Sequence, residues 1–189
     1  MTRAAALGAV ALLAALYLPA WPALIGPFPA HMLRHMGLVA GVAPLVVLAW
    51  PGLARRAGLP VVLGAGLEFV VVWAWHLPLL HMTAQTGAFG KALEQAMFLG
   101  AGWAVWASAL SAREPMAGAG GLFLTSVHMT MLGALLVLAP GDLYAEICGR
   151  APDLSGQQLG GLLMLAIGTP VYLFGGLALM RRGLQGGLT

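Results

Sequence analysis

His31 and His35 stand four residues apart in the stretch HMLRHM, with Met32 and Met36 at the same spacing and Arg34 between them. On a helix, residues i and i+4 project from one face. Two imidazoles would therefore converge, and two thioethers would line the adjacent face. Imidazole nitrogen and thioether sulfur suit copper, Cu(I) above all, better than magnesium or calcium, which take oxygen ligands. Three more histidines complete the inventory: His76 just before Pro78, His81 beside Met82, and His128 beside Met129 and one turn before Met131. Glu94 could complete a zinc site of histidine and carboxylate, relay a proton, or pair with Arg34, and paired histidines could hold haem. The expected ligands are His31, His35, His76 and His128, with Met32, Met36, Met131, Glu94 and His81 as secondary candidates. Copper is the expected ion, and zinc and haem follow it. Met129 with the other methionines could line an access path, and Asp142 could attract a cation. Glu68 has no evident role.

These residues sit in a chain whose solvent must largely be lipid. Of 189 residues, 60% are hydrophobic and only 8% charged, whereas soluble domains carry roughly a quarter charged residues. Mean hydropathy is +0.90. A spanning helix needs about 20 apolar residues, and six segments qualify, at about 4–21, 31–50, 60–84, 88–112, 117–139 and 157–180. The apolar runs are too long for barrel strands. The expected fold is thus an all-α, polytopic bundle of about six transmembrane helices, forming one domain over 1–189. Pro78 should kink the third span and swing His76 and His81 toward one side. The many glycines, such as Gly64, Gly66, Gly100, Gly102, Gly160 and Gly161, read as sites of close helix packing.

Arg3 followed by AAALGAVALLAALYL has the make-up of a signal peptide. Leu18 and Trp21 occupy the positions a cleavage site would need, so a retained helix is expected. Lysine and arginine set the direction. With a cytoplasmic N-terminus, Arg3, Arg55, Arg56, Arg113, Arg181 and Arg182 lie inside, against Lys91, Arg150 and the nearby Arg34 outside. Both termini are then cytoplasmic and the polar loop 140–156 faces outward. All five histidines fall within roughly 17 Å of the outer boundary at the helical rise per residue. Ionisable groups at such depth are costly and usually serve a function inside the bundle.

Other chemistries find no support. The net charge of +3 comes from few, scattered basic residues, so no nucleic-acid partner is expected. The lone Cys148 excludes an internal disulfide framework and any four-cysteine zinc site. No nucleophile–base constellation, phosphate loop or Walker motif is present, so hydrolytic catalysis is not expected.

Taken in order, HMLRHM, APLVVLAWPG, EFVVVWAWHLPLLHMTAQ, LEQAMFLGAGWAVWAS, SVHMTMLGALLVLAPGDLYA and SGQQLGGLLMLAIG resemble the CtaG family of caa3-type cytochrome oxidase assembly factors. The resemblance covers about residues 31–170. It implies a multi-pass protein of the bacterial inner (plasma) membrane that matures a haem–copper oxidase by delivering or inserting copper. The implied partner is an oxidase subunit or a periplasmic copper carrier; membrane lipid and a second copy of the chain are further expected partners, independent of the resemblance. His31, His35, His76 and His128 are the positions it would carry over. Gln95 stands beside Glu94 where a histidine would be expected. A b-type haem carrier and a copper permease are the competing readings.

Overall fold

The computed structural model describes residues 2–186, and it is helical throughout, with no strand among them. Its helices are α1 (Arg3–Tyr17), α2 (Trp21–Ile25), α3 (Pro27–Ala49), α4 (Pro51–Ala57), α5 (Val61–His76), α6 (Pro78–Thr86), α7 (Ala88–Leu110), α8 (Pro115–Leu138) and α9 (Leu154–Gly186). Proline opens α3, α4, α6 and α8, where its fixed φ suits the first turn and its missing N–H costs nothing. Three of the helices, α3, α8 and α9, are long and apolar enough to cross a membrane. A fourth span is added if α4 and α5, bent by 99° at their junction, count as one.

The sequence anticipated a kink at Pro78; the helix instead breaks. Leu77 adopts φ −65° and ψ 132°, the extended conformation that a following proline imposes. The third expected span is thereby split into α5 and the separate α6, which carries His81 on its first turn. Two long helices carry π-helical turns, Gly37–Val42 in α3 and Met164–Gly168 in α9. In α3 the altered register accompanies a Val39 carbonyl that accepts hydrogen bonds from Trp106 Nε1 (3.0 Å) and from Tyr172 Oη (3.1 Å).

Helices approach closely where glycine permits. α1 runs antiparallel to α3, with Leu12 over Gly41 and Leu16 over Gly37. A Cβ on Gly102 would lie 2.8 Å from Val39 Cα, and one on Gly64 would lie 2.7 Å from Ala104 O. Close contact of this kind supplies the packing energy that lipid, itself apolar, does not. Gly66, Gly100 and Gly120 face open space instead.

The bundle has two chemically different ends. At one, Arg55 and Arg113 flank a surface cavity that also meets Pro60 and Glu114, and Thr2 Oγ1 donates to Leu48 O at 2.9 Å. At the other, the loop between α8 and α9 folds over the mouth of the bundle. Tyr144 in this loop is buried against Phe28 (ring centroids 5.2 Å) and His81 (4.5 Å), and its hydroxyl donates to His76 O at 3.1 Å. Gln157, also buried, holds the loop from α9 by accepting from Leu143 N (2.8 Å) and donating to Leu136 O (3.1 Å).

Candidate metal centre

Beneath that loop, side chains from four helices meet. His31 and His35 come from the first turns of α3, His76 from the last turn of α5, His81 from α6 and Glu94 from the second turn of α7; all five are buried. His31 Nε2 lies 3.1 Å from Glu94 Oε1, and His35 Nε2 lies 3.3 Å from Glu94 Oε2. The two imidazoles are 4.1 Å apart between centroids. The i, i+4 spacing on α3 therefore does bring both rings to one place.

These contacts meet the distance of a hydrogen bond but not its angle. His31 Nε2, both nitrogens of His35 and Glu94 Oε1 are buried without a hydrogen-bond partner. Leaving such groups unsatisfied is expensive. Converging donors that do not bond one another are the arrangement that a cation would satisfy. Among the described residues, His31, His35 and Glu94 form the one group of three or more histidine, cysteine or acidic side chains with ligand atoms mutually within 4.8 Å.

Neighbouring residues fix these donors. Glu94 Oε2 accepts from Gln95 Nε2 at 3.2 Å, and Gln95 Oε1 accepts from Tyr17 Oη at 2.7 Å. The residue found where a histidine had been expected thus orients the carboxylate. Phe98, one turn beyond Glu94, stacks on His35 at 3.8 Å and 14°. Arg34 is engaged elsewhere than at Glu94: its Nε donates to Leu16 O at 3.4 Å, and its guanidinium lies over the Tyr17 ring.

The remaining candidates are distributed around this centre. His76 faces His35 with ring centroids 6.0 Å apart. Its Nδ1 bonds Val72 O at 2.6 Å, and its Nε2 is unpartnered. His81, a secondary candidate, stands edge-on to His31 with ring centroids 5.1 Å apart. His128 is not brought into the group. Its Nε2 lies 3.6 Å from Glu68 Oε2, and Glu68 Oε1 is hydrogen-bonded to the Tyr172 hydroxyl. Glu68, His128 and Tyr172 make a second buried cluster. Along α5, Glu68 and His76 are eight positions apart, about 12 Å at the helical rise. Met32 and Met36 are fully buried, but they pack against Gly160 and Gly168 of α9. Met129 joins Met36 there, whereas Met131 is exposed on the outside of the bundle. Asp142 is engaged with Arg150 at 2.7 Å, in the loop above.

Phe98 and Tyr17 were missed by sequence reasoning, and Gln95 was noted only as standing where a histidine was expected. Phe98 was detectable in principle, since it falls four residues after Glu94 and so on the same helix face.

A family model described as cytochrome c oxidase caa3 assembly factor (Caa3_CtaG) matches residues 59–185. That stretch holds Glu68, His76, His81, Glu94 and His128, and the His31–His35 pair precedes it. No curated protein and no solved structure matches the chain.

Proposed function

Because the chain belongs to the family of cytochrome c oxidase caa3 assembly factors, we propose that it serves oxidase maturation by holding a copper ion between His31, His35 and Glu94. The observation that carries this reading is the set of buried, converging and unbonded donors at that point. His76 stands beside them as a further donor. His128 belongs with Glu68 in a separate cluster.

Charge favours the reduced ion. Cu(I) beside one ionised carboxylate is neutral overall, whereas a divalent ion would leave a net positive charge in lipid, which is costly. The imidazoles suit copper, and the methionines pack the wall behind them. A haem held by His35 is disfavoured by the Phe98 ring stacked on that imidazole.

The protein is proposed to sit in the bacterial plasma membrane with six spans: α1, α3, α5 continued by α6, α7, α8 and α9. Both termini are cytoplasmic and the copper centre opens outward. The arginine-flanked end opposite the histidines supports this orientation under the positive-inside rule. The partner that gives or receives the ion is then an oxidase subunit or a periplasmic copper carrier.

The test is oxidase maturation in cells whose own copy of the protein is replaced. Wild-type chain and His128→Ala should both restore a copper-replete oxidase, and His35→Ala and Glu94→Gln should not. Full restoration by His35→Ala and Glu94→Gln would refute the proposal.

A further inference from the structure

All three donors of the proposed centre are buried, with side chains at most 5% exposed. An ion must therefore reach them by way of other residues. A cavity of about 130 Å³ lies beside the cluster, lined by Pro27, Phe28, His81, Gln85, Cys148 and Arg150. Its rim is exposed at Pro27 and Gln85, and its floor is formed by the buried Phe28 and His81.

Two features of its wall point to a soft cation. His81 is 3% exposed and its Nδ1 has no hydrogen-bond partner. The same ring stands edge-on to His31 at 5.1 Å, so it touches the cavity on one side and the proposed centre on the other. The second feature is Cys148, the chain's only thiol, which is free and partly exposed on that wall. A thiol is the softest ligand a protein offers and selects Cu(I). The one cation on the wall does not oppose this. Arg150 is clamped by Asp142 through Nη1–Oδ2 at 2.7 Å and Nη2–Oδ1 at 3.1 Å, which neutralises its charge.

Resting on the copper reading above, we propose that this cavity is the loading port, in which Cys148 captures Cu(I) from the outer face and His81 passes it to His31. The steps are ligand exchanges without change of oxidation state. When the S–Cu bond forms, the thiol proton goes to solvent. When the ion moves to the His81 imidazole, the sulfur takes a proton back. Loop 139–153, which carries Cys148 and the Asp142–Arg150 clamp, is thereby a functional part of the protein.

A loading experiment on the purified full chain separates port from centre. Cu(I) is supplied on a coloured chelator, and both the rate and the end point of its transfer are followed. Cys148→Ser and His81→Gln should each slow loading by about tenfold, the scale on which loss of one supporting contact changes metal handling. The final copper content of Cys148→Ser should stay at the wild-type level. Wild-type rates in Cys148→Ser would overturn the port. An absence of uptake by the wild-type chain would overturn the centre instead. A second measurement tests the port without the centre: in the His35→Ala chain, Cu(I) should still protect Cys148 from alkylation by a maleimide. Unprotected alkylation there would count against the port whatever the loading rates.

Discussion

Glu94 is the carboxylate that faces both His31 and His35, so its charge should matter more than its shape. Glu94→Gln keeps the size of the side chain, replaces one of its two oxygens by an NH2 group and removes the counter-charge, and copper retention should fall by about tenfold or more, measured by competition with a chelator. Tyr172 supplies the contrasting case. Its hydroxyl links Glu68 and the Val39 carbonyl, away from the copper donors. Tyr172→Phe should lower thermal stability in detergent by about 1 kcal/mol, the size of an interhelical hydrogen bond in membranes, and leave copper content unchanged. At this scale, the His31–His35 pair was legible because helical periodicity alone sets which side chains share a face. The assignment of His128 was not, since depth along α8 says nothing about its rotation, and rotation turns that ring to Glu68. The purpose of Glu68 was hidden for the same reason: its partner Tyr172 is 104 positions away.

Helix packing rests on close approaches that a methyl group would obstruct. Gly64→Ala would push a Cβ to 2.7 Å from the Ala104 carbonyl oxygen, while Gly66, two residues on, meets nothing within 4 Å. Gly64→Ala should therefore destabilise by about 1–3 kcal/mol, the range for overpacking, and Gly66→Ala should be neutral or slightly stabilising in the same thermal assay. The outer loop has its own pH signature. Burial alone would raise the Asp142 carboxyl, but the N–H groups of Asp153 and Tyr144 and the Arg150 guanidinium outweigh it and hold the carboxyl below its usual value. A carboxyl depressed by folding contributes its full stabilisation above the unfolded pKa of about 3.9 and loses it as pH falls through the folded value. Acidification below about 4 should thus lower the melting temperature of the wild-type chain more than that of Asp142→Asn. Helix starts at Pro27 and Pro51 fall outside the segments expected at 31–50 and 60–84, because hydropathy marks the apolar run and not the first turn that the proline ring fixes. The π-helical turns were not legible, since a shift in backbone register leaves no periodic mark in side-chain types. The break at Leu77 was legible only as a kink, because the sequence does not reveal whether tertiary contacts will hold the two halves in line.

Across the whole molecule, an arginine-flanked end and a histidine-filled end face opposite ways. Composition and the distribution of basic residues sufficed for this polarity. With the proposed orientation, Cys148 should react with a membrane-impermeant maleimide in intact spheroplasts, without lysis. Reaction only after lysis would invert the topology. What composition did not contain was the division of the buried polar residues into an outer cluster around Glu94 and a deeper one around Glu68, which depends on how the helices assemble. The claim on which everything else turns is that His31, His35 and Glu94 share one copper ion. It is tested most directly by the copper content of protein purified from copper-supplied cells, wild type beside His35→Ala and His128→Ala. The expected result is one ion per wild-type chain, retained in His128→Ala and lost in His35→Ala. A wild-type chain without copper, or a His35→Ala chain that keeps it, would contradict the claim.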